Sequence, residues 1–170
     1  TVIHAEQMTG RPARDLYLDY EVEIERDQTL ITGDHGIFRQ EENEAEMIGN
    51  VFIQRFGDQY TGDRGHINLD TGAGLLTHPT YRLEMNNAQG KANRIEMIGD
   101  DKTDIFKGTY STCEGTDPDW YLKSNKLHLD TGRNIGYATS PILYFKDIPI
   151  LGAPAMTFPI KDERKSGVLP

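Results

Sequence analysis

An all-β chain folded as an antiparallel roll is what this sequence predicts, and three observations carry that expectation. Apolar and polar side chains alternate at a two-residue period in several runs, as they do where successive side chains point to opposite faces of a strand. The 17 glycines and 8 prolines supply many turns, while a hydrophobic share of only 36% suits short strands with much exposed edge. Similar strand–turn units also recur along the chain, as they do where sheets stack rung upon rung.

The clearest alternation begins at Leu16. Leu16, Leu18, Tyr20, Val22 and Ile24 form one face, and Tyr17, Asp19, Glu21, Glu23 and Glu25 the other. Tyr81, Leu83 and Met85 alternate with Arg82, Glu84 and Asn86. After Asn87-Ala88-Gln89-Gly90, Ile95 and Met97 alternate with Arg94 and Glu96, so the two runs predict a hairpin turned at Gly90. Val51 with Ile53, and Leu127 with Leu129, are shorter examples. Gln40 to Met47 holds helix formers but lies between Phe38 and Gly49-Asn50, and is read as a long polar turn.

Thr32-Gly33-Asp34-His35-Gly36 resembles Thr61-Gly62-Asp63-Arg64-Gly65. Met47-Ile48-Gly49 recurs as Met97-Ile98-Gly99, and Leu69-Asp70-Thr71-Gly72 as Leu129-Asp130-Thr131-Gly132. These units are imperfect, which favours a roll over a regular solenoid. Between Tyr110 and Tyr121 lie the only cysteine, Cys113, and the only tryptophan, Trp120, joined by Gly115, Asp117, Pro118 and Asp119 as a tight turn. Cys113 is either a buried thiol acting as a small apolar group or half of a pair whose partner lies elsewhere.

A net charge of −9 argues against a nucleic-acid or anionic-membrane surface. No apolar run is long enough for a transmembrane helix, and Ile148 to Ile160 is broken by Pro149, Pro154 and Pro159. The lack of an initiator methionine and leader reads as a mature fragment or excised domain. Asp-Thr-Gly at Asp70 and Asp130 is the tripeptide of aspartic proteases, but the copies are too close for two lobes, and Asp-x-Gly is also turn chemistry. His4, His35, His66, His78 and His128 have no metal-site spacing, and Asp100 to Asp104 lacks the pattern of a calcium loop. No phosphate-cradling loop or serine elbow is present, so the chain is read as a non-enzyme without a cofactor.

Toward the C-terminus, Thr112-Cys113, Trp120 and the run Phe158-Pro159 through Arg164-Lys165-Ser166-Gly167 to Pro170, in that order and spacing, resemble the LptD family of lipopolysaccharide-assembly proteins of Gram-negative outer membranes. Gly49-Asn50-Val51, Tyr60-Thr61-Gly62-Asp63 and Leu69-Asp70-Thr71-Gly72 resemble the OstA-type repeats this family shares with the periplasmic bridge protein LptA. The resemblance implies a twisted antiparallel β-jellyroll over residues 1–160, on the periplasmic face of the outer membrane. Residues 161–170 would be the junction to an outer-membrane β-barrel, with the barrel beginning at about Ser166.

The implied role is to bind lipopolysaccharide through its lipid A acyl chains in an apolar groove left open along one seam, and to pass it from LptA to the chain's own barrel and the lipoprotein LptE. LptA would dock by strand pairing at the edge near Leu16 to Ile24 or its N-terminal neighbour. Alternation nominates Val22, Ile24, Val51, Ile53, Leu83, Met85, Ile95, Met97, Leu127 and Leu129 as the apolar lining. Cys113 matches the family cysteine that pairs with one near the end of the barrel. A soluble LptA-like bridge protein and an aspartic protease are the alternative readings.

Overall fold

A computed structural model of the chain describes residues 1–10, 14–113, 115 and 117–161. Arg11-Pro12, the Arg164-Lys165-Ser166-Gly167 motif and the expected junction beyond Lys161 lie outside the described residues. Every regular element described is a strand: β1 (Val2–His4), β2 (Gln7–Gly10), β3 (Asp15–Arg26), β4 (Thr29–Arg39), β5 (Glu44–Arg55), β6 (Asp58–Asn68), β7 (Gly74–Thr77), β8 (Thr80–Arg82), β9 (Gln89–Lys91), β10 (Arg94–Met97), β11 (Lys102–Tyr110), β12 (Trp120–Asp130), β13 (Ile135–Thr139), β14 (Ile142–Phe145), β15 (Ile148–Gly152) and β16 (Ala155–Pro159). All belong to one antiparallel sheet, the jellyroll-like architecture predicted.

That sheet is bent double along a corner. Positive φ occurs at Tyr20 (65°), Gly49 (84°), His78 (48°) and Lys107 (53°), each 29 residues after the last. The ladders lose register at the same level, between Asp19 and Val22, Thr32 and His35, and Ile48 and Val51. Bulges of this kind bend a strand and re-aim its side chains. Past the corner, partners change. β6 pairs β8 through Gln59–Thr61 but β7 through Arg64–Ile67, and β12 pairs β14 on one side and β13 on the other.

Each long strand therefore gives one half to each of two facing layers. The first layer runs from β1 to β15 and the second from β2 to β16. Side chains bond across the corner: His35 Nδ1 with Asp19 (2.8 Å), Asn50 Nδ2 to Asp34 (2.9 Å) and His78 Nδ1 with Asp63 (3.1 Å).

Three expectations need correction. The run from Leu16 to Ile24 is one strand, but its bulge turns Tyr20 outward, where it is 53% exposed. The hairpin between Tyr81–Asn86 and Ile95–Met97 does not form. β8 ends at Arg82 and returns through β9, while β10 pairs with β7 and β11. The polar turn after Phe38 closes at Asn43 (φ 52°), and Glu44 to Met47 are already strand.

Between the layers, large and small side chains alternate across strands. Leu18, Gly36, Met47, Gly65 and Leu76 stand in direct register on five successive strands of the second layer, and the row continues through Ile95, Ile105 and Leu127. Both glycines of each Thr-Gly-Asp-x-Gly repeat leave room for one neighbour. A Cβ at Gly33 or Gly36 would meet Met47, and one at Gly62 or Gly65 would meet Leu76. This is the alternation of size that lets facing surfaces interdigitate.

Candidate functional site

The interior between the layers is the candidate site. Val22 and Ile24 on β3, Val51 and Ile53 on β5, Ile95 and Met97 on β10, and Leu127 and Leu129 on β12 all point into it. With Leu83, just beyond β8, they belong to one contiguous cluster and are each at most 3% exposed. Met85 does not join them. Its strand ends three residues earlier, so alternation no longer aims it, and it lies 37% exposed within the turn at 84–86.

The interior is filled by its own side chains, as a closed core is, and is not the open groove that the family resemblance implied. Two surface hollows lie instead along the corner across β3 to β5 (about 320 Å³) and at the N-terminal edge (about 360 Å³). They are lined by Glu21, Glu23 and polar neighbours, with Val22 as the one cluster residue among them. The apolar rows nonetheless cross eleven strands of the second layer without a break in the sheet, a path of about 48 Å at the usual strand spacing.

The tyrosines of the interior are held neutral. Burial, with Asp58 nearby, pushes the Tyr60 phenol up to about 12, and burial raises Tyr81 well above its ordinary value. Burial also raises Tyr110, though the Asn86 side chain bonded to its hydroxyl opposes this. Tyr60 faces Tyr81 across the ladder, the Tyr81 hydroxyl donates to Thr109 O, and Tyr110 packs on Phe158 of the opposite layer at 5.0 Å. Such a space accepts hydrocarbon and rejects charge.

The border opposite the corner is built differently. Val22-Glu23-Ile24-Glu25-Arg26 and Val51-Phe52-Ile53-Gln54-Arg55 are the same pattern 29 residues apart, so each inward column ends in an arginine. Both reach across to the second layer. Arg26 Nη1 pairs with Asp70 Oδ1 at 2.6 Å, while Arg55 donates to Gly72 O (2.7 Å) and Gly99 O (3.0 Å). Farther along, Asn86 Nδ2 donates to Ile160 O. Among the described residues, all these bonds across the border use a side chain; no backbone ladder closes it. The alternation Val51, Ile53, Arg55 was the available signal for Arg55, and sequence reasoning passed over it.

Asp70 is thus accounted for. Asn68 Oδ1 accepts from the Asp70 and Thr71 amides, and the carboxylate is held below its ordinary pKa by Asn43 first and Arg26 second. Asp130 is engaged elsewhere, accepting from the Arg133 amide. A protease dyad needs two carboxyls sharing one proton, whereas each of these serves its own turn. Cys113 is a free, half-buried thiol whose carbonyl accepts from Gln89.

No family model matches the sequence. Curated relatives match along the whole chain, and those compared bear the name LPS-assembly protein LptD. One from Cupriavidus necator is 35% identical over 170 residues, and one from Albidiferax ferrireducens 36% over 175, each match covering 100% of this chain. A third, from an Acidovorax species, is 32% identical over 99% of it. The chain belongs to the LptD family. It spans about a fifth of the length of these LptD relatives (21–22%).

Proposed function

We propose that this chain is the periplasmic jellyroll domain of an LptD-type outer-membrane protein, formed by residues 1–160 and leading through 161–170 into a barrel. It takes lipopolysaccharide from an LptA-type bridge at its N-terminal edge and passes it to the barrel and its LptE-type lipoprotein. The observation that carries this reading is the whole-chain likeness to proteins named for LPS assembly. The apolar cluster between the layers gives it a physical basis. Burying a methylene is worth roughly 0.8 kcal/mol, so an acyl chain of about ten methylenes costs roughly 8 kcal/mol to leave in water.

Cargo does not enter a standing hole. It takes the place of contacts that the two layers now make with each other, in the rows that include Ile95 and Leu127. Grip comes from the acyl tails, since the acidic exterior repels phosphate. Cys113 pairs with a cysteine outside this chain.

Photo-crosslinkers placed at Val51 and Leu127, with Glu23 as the outward control, test this reading in the full-length protein in cells. Lipopolysaccharide adducts are expected at the first two positions and not at Glu23. Adducts at neither interior position, or equally at all three, overturn it.

A further inference from the structure

The Asp70-Thr71-Gly72 turn, which neither catalysis nor the apolar interior uses, receives both arginines of the repeated Val-x-Ile-x-Arg columns. Arg26 and Arg55 stand on either side of Thr29 in the same ladder, as its partners on β3 and β5. We infer that this pair and the turn form a two-pronged latch holding the free border of the roll shut, released when the layers part to admit a hydrocarbon chain. The inference rests on the lipid-carrying reading proposed above.

Three features of the geometry argue for a releasable clasp and not a permanent prop. The corner opposite is continuous backbone, so the layers can separate only at the border that side chains close. Arg26 and Asp70 are 31% and 48% exposed, and pairs so open to water contribute little to stability. Arg55 is only 3% exposed, yet among the described residues its head bonds to two carbonyls and to no carboxylate at ion-pair distance.

A buried guanidinium whose neighbouring carboxylate, Asp58 across the ladder, stays beyond ion-pair distance forgoes much of its hydration. Parting the border returns that hydration, which offsets the two bonds lost. The arginine therefore leaves the border closed but easily opened, which suits a carrier that must accept cargo and pass it on.

The test compares the full-length protein with its Arg55→Met variant and, since loss of a buried arginine can unfold a chain, with an Arg26→Gln/Asp70→Asn variant at the exposed prong. Amide hydrogen exchange is read without lipid at residues 69–73 and 98–101 and at the corner, residues 47–50. Arg55→Met is expected to speed exchange at both turns about tenfold while leaving the corner unchanged. The second variant should speed residues 69–73 alone. Exchange unchanged at the turns in both variants, or raised equally at the corner in both, overturns the latch. Lipopolysaccharide crosslinking from Val51 should rise in parallel. Faster turns with no adducts in any form of the protein would support the latch and overturn the lipid-carrying reading.

Discussion

Leu76 lies directly across the ladder from Gly65, and its Cδ2 is 2.6 Å from where a Cβ on that glycine would stand. The Leu75 carbonyl oxygen is almost as close, at 2.8 Å, and backbone cannot step aside. Gly65→Ala should destabilise the fold by about 1–3 kcal/mol, the usual range for overpacking. At the equivalent Gly36 the nearest atom is the Met47 sulfur, at 2.9 Å, on a side chain with more freedom to swing. Gly36→Ala should therefore cost less, and urea midpoints of the two variants check the order.

Truncating the interior should separate the residues that alternation aimed correctly from the one it did not. Leu127 and Ile95 are fully buried in the shared cluster, so Leu127→Ala or Ile95→Ala should destabilise by about 2–5 kcal/mol. Met85 is 37% exposed, and Met85→Ala should fall within about 0.5 kcal/mol of the parent. Thermal or urea unfolding of the three variants decides it. A large loss at Met85 would return it to the interior.

Those two outcomes also mark what could be read from residues alone. Alternation reports which side chains share a face only while a strand lasts. It located Val22, Ile24, Val51 and Ile53 because β3 and β5 run 12 residues each, and it misplaced Met85 because β8 stops at Arg82. It also paired Tyr81–Asn86 with the nearest downstream run. The choice between β9 and β10 depends on where the corner falls, and that is set by positive φ at His78 and Lys107, which is uncommon even for histidine and which no local pattern announces. The 29-residue period was visible in the Thr-Gly-Asp repeat. Its meaning was not, because the room those glycines leave is filled by side chains 11 or 14 residues farther on.

Alkali should unfold the protein through its buried tyrosines. Tyr60, Tyr81 and Tyr110 all titrate above the ordinary value of 10.0 in the folded state, Tyr60 at about 12, chiefly because burial disfavours the phenolate. Groups with raised folded values contribute stability that is complete below pH 10 and is lost as pH climbs through the folded values. Loss of strand circular dichroism is expected between about pH 10 and 12, with phenolate absorbance rising in the same step. Tyr60→Phe should move that midpoint upward. Phenolate absorbance that finishes rising near pH 10 while strand signal persists would contradict the burial assigned to these rings.

At the acid end the group to follow is Asp70. Its folded value lies below the ordinary 3.8, so the stabilisation it brings is present above that pH and is lost as pH falls through the folded value. The Asn43 side-chain bond is the larger cause and the Arg26 pair the smaller. Asn43 also has φ 52°, so glycine is the replacement that removes the amide without straining the turn. The carboxyl resonance of Asp70 should titrate below 3.8 in the parent. It should move up further in Asn43→Gly than in Arg26→Gln. The reverse order would mean that the arginine, not the neighbouring turn, holds this carboxylate in place.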